Sequence, residues 1–427
     1  MNIEFIHSLF LKSSGVVIDT RKVVANSFFV ALKGANFDAN TFAAQALEAG
    51  ASFALIDNKA YYIDERTLLV DDCLIALQEL AKYHRKYLGL TILALTGSNG
   101  KTTTKELIQA VLSQSYKTKA TFGNLNNHIG VPLTLLSFTK DIEIGIVEMG
   151  ANHQKEISFL CELAQPNLGY ITNFGKAHLE GFGGVEGVIK GKSEMYDFFN
   201  SGTGKVFVNA DDPIQLEKTV AIPRVTFGHN TKSVDYPFSK IESNPFVVVN
   251  YQDFAFKSNL IGAYNSTNIM AAITIGLYFN VSIQNIIRGI ENYTPDNNRS
   301  QIIARGNHEV LLDAYNANPS SMEAAISNFL KLDKHSKILI LGDMFELGNE
   351  SGFEHQKIVN RLQDESGILC FFVGSHFYAS KKELSHFKFY TTYEAFEDDF
   401  VPAKIPTFYL IKGSRGMSLE RIVPKIV

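Results

Sequence analysis

The run Ala94-Leu95-Thr96-Gly97-Ser98-Asn99-Gly100-Lys101-Thr102-Thr103-Thr104 sets two glycines, a lysine and a row of hydroxyls directly after an apolar segment. Gly97 and Gly100 allow a tight turn in which consecutive backbone N–H groups converge on a polyanion, and the helix that follows offers its unpaired N-terminal donors. Lys101 can reach the outer phosphates, and Thr102 can offer a hydroxyl to Mg²⁺. The spacing departs from a standard P-loop, since Leu95 stands where the pattern GxxxxGK[ST] has glycine, and only the GxxGKT core remains. The alternative is a left-handed structural turn with no ligand. Context favours the nucleotide, because Thr91 to Leu95 reads as a buried parallel strand and Lys105 to Leu112 as a helix, the order a phosphate cradle needs.

Other candidates sit at comparable places. Glu148 follows the apolar run Ile144 to Val147, and carboxyl ends of parallel strands present ligand groups; with Thr102 it makes an oxygen pair suited to Mg²⁺, or else it caps a strand end. His178 follows the strand around Gly169 to Thr172, although imidazole is a poor first choice for Mg²⁺. Lys192 falls within an apolar stripe of Val185, Val188, Ile189, Met195, Tyr196 and Phe199, whereas Lys190 falls outside it. Such a lysine either snorkels to water or, as a neutral amine, takes up CO₂ to become an anionic carbamate able to hold Mg²⁺. Asn265 and Asn268 lie one helical turn apart and either read a base edge or cap a helix. Asp313 and Tyr315 follow another apolar strand and suit a ribose or a phosphate-linked substrate. Arg299 lies just beyond the turn-rich joint Asn292 to Asn298, from which it can swing onto phosphates on closure.

The elements that position these residues divide the 427-residue chain into three α/β units. Residues 1–87 form a small unit, residues 88–294 a central, mostly parallel sheet domain, and residues 295–427 a third α/β unit. Ser320 with Glu323 suits a capping box for a helix from Met322 to Phe329. A net charge of −4 argues against a nucleic-acid partner, and Cys73, Cys161 and Cys370 form neither a disulfide framework nor a metal motif. No uncharged apolar stretch reaches the ~20 residues that span a bilayer, so a soluble cytoplasmic protein without stable membrane insertion is expected.

Thr96 to Thr103, Glu148-Met149-Gly150-Ala151-Asn152-His153, Ala177-His178-Leu179-Glu180-Gly181-Phe182-Gly183 and Asp313-Ala314-Tyr315-Asn316-Ala317-Asn318-Pro319 together resemble the ATP-dependent Mur ligases of peptidoglycan synthesis, and within them the members that add D-alanyl-D-alanine. The resemblance covers essentially the whole chain, and the family's ATP loop also lacks the early glycine. It implies an ATPase domain of P-loop type flanked by a UDP-substrate domain and a C-terminal Rossmann-like domain for the incoming dipeptide. The implied substrates are ATP, UDP-N-acetylmuramoyl-tripeptide and D-alanyl-D-alanine, joined through an acyl phosphate, and the implied state is a monomer. The resemblance also implies that Lys101 binds the β- and γ-phosphates, that Thr102 and Glu148 hold one Mg²⁺, and that Glu148, His178 and carbamylated Lys192 surround a second. Asn268 and Arg299 would bind nucleotide, Asp313 its ribose, Asn126 and Asn127 the muramoyl substrate, and Ser27, with the Asp19-Thr20-Arg21 segment, the UDP end. Two departures stand out: Asp38-Ala39-Asn40 replaces the usual Asp-Gly followed by histidine or aspartate, and Asn298 precedes Arg299 where glycine is common. The related folate polyglutamate ligases share the ATP loop but begin close to it, unlike this chain.

Overall fold

The structure, a computed structural model, describes every residue except Met1, Thr203, Lys232, Asn297 and His335. The joint foreseen at Asn292 to Asn298 therefore includes one residue, Asn297, outside the described set.

The first sheet is parallel throughout, in the order Val16–Val17, Phe28–Val30, Phe53–Ile56 and Thr67–Leu69. Its middle strands are buried and apolar, as covered parallel sheets require. Helix Cys73–Leu88 follows; the Asp72 carboxylate caps its start, and Gly89, at φ +64°, ends it. This helix ties the first unit to the second. Arg85 Nε donates to Ala164 O at 2.9 Å, and a nitrogen of His84 lies 2.9 Å from Phe138 O.

The central sheet has nine strands. Its parallel part runs Thr118–Ala120, Ile144–Glu148, Thr91–Thr96, Leu168–Ile171, Lys205–Asn209, Arg224–Gly228 and Tyr236–Ser243. Two antiparallel strands, Phe246–Tyr251 and Phe254–Ile261, extend it, so the sheet is mixed. They alternate between buried and exposed positions because only one face is covered. The carboxyl ends of Thr91–Thr96, Ile144–Glu148 and Leu168–Ile171 are neighbours, which brings the glycine loop, Glu148 and the segment leading to His178 to one sheet edge. Helices Lys101–Leu112 and Asn265–Tyr278 pack together behind the loop through Ile108, Val111, Ile269 and Ala272.

The third sheet runs Gln301–Arg305, His308–Leu312, Phe408–Lys412, Lys337–Gly342, Leu369–Val373 and Phe387–Tyr390, with only the first strand antiparallel. The helix after Asp313 is Pro319–Lys331, and its cap differs from the expected one. Asn318 and Ser321 form the capping box, with Asn318 Oδ1 accepting from Ser321 N at 2.9 Å. Pro319 supplies the reason: it has no N–H and a fixed φ, so it fits the first helical position and shifts the cap to the residue before it. Ser320 is thereby released to face the central unit.

Candidate active site

Gly97, at φ +139°, turns the chain at the end of the buried strand; a Cβ there would fall 2.0 Å from Thr172 Oγ1. Gly100, at φ +77°, starts helix Lys101–Leu112, and a Cβ there would meet Asn268 Oδ1 at 2.7 Å. Both positions need glycine for backbone conformation and for close approach. The loop is pinned from beneath: Ser98 N donates to Asn173 O at 3.0 Å, Ser98 Oγ to Gly175 O at 2.8 Å, and Asn99 N to Asn173 Oδ1 at 3.1 Å. No side chain caps the helix that follows, so its first amides, Thr102 and Thr103 among them, remain for an anion. Lys101 Nζ donates to Gly97 O at 2.8 Å. Desolvation holds its pKa below the usual lysine value; nearby Arg299 pushes the same way, and Glu148 opposes them.

Glu148 is the hub of the site and is 1 % exposed. Thr102 Oγ1 donates to its Oε2 at 3.0 Å, Asn126 Nδ2 to its Oε1 at 2.8 Å, and Lys105 Nζ lies 3.9 Å from Oε2. A hydroxyl and a carboxylate side by side at the mouth of an anion loop fit a hard cation, which completes its shell with phosphate oxygens and water. Asn126 is thus engaged with Glu148, and Asn127 Oδ1 accepts from Ile129 N at 3.1 Å and Gly130 N at 2.9 Å, shaping the adjacent loop. Asn268 sits under the glycine loop, with Thr104 Oγ1 donating to its Oδ1 at 3.1 Å and its Nδ2 donating to Asn265 Oδ1 at 2.9 Å.

The third unit supplies the opposite wall. Arg299 stacks over Tyr315, its guanidinium carbon 3.7 Å from the ring centre, and its buried Nε has no hydrogen-bond partner among the described residues. Asp313 accepts from Lys412 Nζ at 2.6 Å and from Ser300 N at 3.1 Å. Asn318 Nδ2 donates to Asn99 Oδ1 at 2.7 Å, joining this wall to the glycine loop. Between the walls lies a cavity of about 810 Å³ lined by Lys101, Glu148, His178, Asn268, Arg299 and Asp313, and also by Asn126 and Asn127.

Three predicted residues lie outside that lining: Gly97, which turns the chain at the strand end, Lys192 and Ser27. Lys192 is 1 % exposed and one layer back, where its Nζ donates to the carbonyl of cavity-lining Ala151 at 3.0 Å and sits 5.0 Å from the centre of the Phe182 ring. Desolvation, reinforced by Lys101, drives its pKa well below the usual lysine value. The amine does not snorkel, and as it stands it is no cation ligand. Ser27 is buried in the first unit, where its hydroxyl accepts from Val24 N at 3.0 Å to close a turn. That bond uses one lone pair of the hydroxyl and leaves its O–H to donate elsewhere. His178 lines the cavity, but its Nδ1 pairs with Glu346 of the third unit. Among the described residues, no three His, Cys, Asp or Glu side chains converge as a metal site.

Lys412 and Glu346 were not singled out in the sequence, and Asn318 stood in a quoted motif without a role of its own. Lys412 carried a usable signal, since it ends an apolar strand as Glu148 does.

Residues 95–276 match the Mur ligase middle domain, and residues 298–398 match the Mur ligase glutamate ligase domain. The chain is 34% identical to the UDP-N-acetylmuramoyl-tripeptide--D-alanyl-D-alanine ligase of Bacillus subtilis, over 97% of this chain and 93% of that protein. It is also 34% identical to the Escherichia coli enzyme of the same name, over 96% and 92%. Among solved structures, MurF from Acinetobacter baumannii superposes with a TM-score of 0.85 at 30% identity, covering 97% of each chain. MurF ligase from Thermotoga maritima, in complex with ADP, gives 0.85 at 25% identity with the same coverage.

Proposed function

This chain belongs to the Mur ligase family, the ATP-dependent amide-bond ligases of peptidoglycan synthesis, and from that premise we propose that it joins D-alanyl-D-alanine to UDP-N-acetylmuramoyl-tripeptide. The observation that carries the reading is the cavity, where an anion loop with a Thr102–Glu148 oxygen pair faces Arg299, Tyr315 and Asp313. Sequence identity along nearly the whole length of the Bacillus and Escherichia ligases supports the choice of substrates.

In this reading the central unit is the P-loop-type ATPase, and the uncapped amides at the start of helix Lys101–Leu112, with Lys101, hold the β- and γ-phosphates. Asn268 and Arg299 contact the nucleotide, and Asp313, held by Lys412, meets its ribose. Asn126 and Asn127 border the muramoyl group, the first unit takes the UDP end, and the Rossmann-like third unit takes the dipeptide. Thr102 and Glu148 hold one Mg²⁺; Glu148, His178 and Lys192, the last as its carbamate, hold a second. The two ions supply charge neutralisation between anionic reactants. The tripeptide carboxylate attacks the γ-phosphorus, releasing ADP and leaving an acyl phosphate. The dipeptide amine then attacks the acyl carbon, and phosphate departs as the amide forms. Catalysis is positioning and electrostatics, with no enzyme nucleophile. Closure of Arg299 and Tyr315 over the cavity shields the acyl phosphate from water. The enzyme acts as a cytoplasmic monomer, and no described helix is long and apolar enough to cross a membrane.

The test is a substrate matrix with ADP release and product mass measured together. ADP release should require both the UDP-muramoyl tripeptide and D-alanyl-D-alanine, with one new amide in the product. Equal release without the dipeptide, or turnover of a pteridine with glutamate, would overturn the reading.

A further inference from the structure

The turn bearing His178 is gripped from the third unit at several points. Lys176 N donates to Ser320 Oγ at 2.9 Å, Lys176 Nζ pairs with Glu354, and Glu180 N donates to Glu346 O at 3.2 Å. Between these contacts, His178 Nδ1 pairs with the Glu346 carboxylate. The two residues share an uncommon feature: His178 has φ +54° and Glu346 has φ +62°, both in the left-handed region that side chains other than glycine seldom adopt. One unit presents an imidazole in a disfavoured backbone conformation, and the other presents the carboxylate that meets it in the same way.

The chemistry of the pair is directional. A carboxylate in contact with Nδ1 favours the tautomer that carries its proton there, which leaves the lone pair on Nε2 and fixes the orientation of the ring. We infer that Glu346 is a positioning residue for His178, so that docking of the third unit sets the imidazole and completes the cation corner of the cavity. This rests on the reading of His178 as a cation ligand. Because Glu346 and His178 belong to different units, cation binding at His178 and docking of the third unit favour one another by the same factor. The half-exposed Glu346 side chain can be truncated without opening the core.

The experiment titrates the full chain with Mn²⁺ in the presence of β,γ-methylene ATP and UDP-muramoyl tripeptide, following bound Mn²⁺ by electron paramagnetic resonance. Glu346→Ala should weaken one of the two Mn²⁺ sites by ~10–100-fold and leave the other unchanged. Glu346→Gln, whose amide oxygen still accepts from Nδ1–H, should recover most of that loss. His178→Ala should abolish the same site, and Lys176→Ala, which removes the neighbouring pair only, should stay within about twofold of the parent. Normal Mn²⁺ binding in Glu346→Ala beside a loss in His178→Ala overturns the inference and leaves the His178 reading intact. Unchanged binding in His178→Ala overturns that reading and the inference with it. An equal loss in Lys176→Ala also overturns the inference, because docking in general would then be the cause.

Discussion

Two lysines are buried in the central unit, Lys105 and Lys192, at 2 % and 1 % exposure, and their surroundings differ in kind. Lys105 Nζ lies 3.8 Å from Glu106 Oε1 and 3.9 Å from Glu148 Oε2, so its charge is answered by carboxylates. Lys192 has one carbonyl and the face of an aromatic ring, with no ion pair among the described residues. Burial alone therefore says little about what a lysine does. A buried ammonium between carboxylates is an electrostatic strut, whereas a buried amine without a counter-charge is pushed toward its neutral, nucleophilic form.

The sharpest way to break this contrast is catalytic. Lys192→Ala should lose ~100-fold or more in turnover, the scale of removing one electrostatic group from a transition state, and acetate or formate should restore part of it. Lys190→Ala should behave as the parent. The supporting signature is a carbamate ¹³C resonance after incubation with labelled bicarbonate, present in the parent and absent in Lys192→Ala. A fully active alanine variant with no carbamate signal in the parent would make Lys192 a packing residue.

Stability should divide the two lysines the other way. Lys105→Met strips Glu148 of its buried cation and should cost about 3 kcal/mol, the low end for breaking a buried pair because these distances are long. Lys192→Met replaces an uncompensated amine with an apolar chain of similar length and should fall within about 1 kcal/mol of the parent. Equal losses in urea unfolding would erase the distinction.

The smallest effect extends the contrast to the first unit. His7, in helix Ile3–Phe10, lies with its Nε2 3.0 Å from His84 Nδ1, and burial, helped by His84, lowers its pKa from 6.5 to about 4. The folded state thus binds fewer protons than the unfolded state between these values. Stability should be intact above pH 6.5 and fall as the pH drops toward 4, by about 1 kcal/mol after allowance for solvent screening. A pH series of unfolding midpoints should show this slope in the parent and a shallower one in His7→Phe.

Much of the central site was legible because it is local or periodic. Gly97 to Thr102 occupy one turn, Glu148 ends an apolar strand, and Lys192 stands out from Lys190 by helical spacing. The wall from the third unit was partly legible, through Asp313 and Arg299. Its supports were not. Lys412 meets Asp313 only because two parallel strands pair, and Glu346 meets His178 only because two units dock. Neither juxtaposition leaves a trace in spacing. Ser27 shows the opposite ambiguity, since a serine in a turn bonds its own backbone as readily as a ligand. The strands Phe246–Tyr251 and Phe254–Ile261 lay outside the expected order because they extend a parallel sheet by antiparallel pairing and carry none of the site.

The cysteines have a practical use. Cys73 begins the helix that closes the first unit, Cys161 lies in helix Glu156–Ala164 of the second, and Cys370 lies in strand Leu369–Val373 of the third; all are buried and unpaired. Burial raises each thiol's pKa, that of Cys370 to about 12, so the folded chain is silent toward alkylating reagents. Each unit thereby carries one built-in reporter that responds only when that unit opens. Mass spectrometry of which sulfur is capped first would rank the breathing of the three units without the introduction of any label.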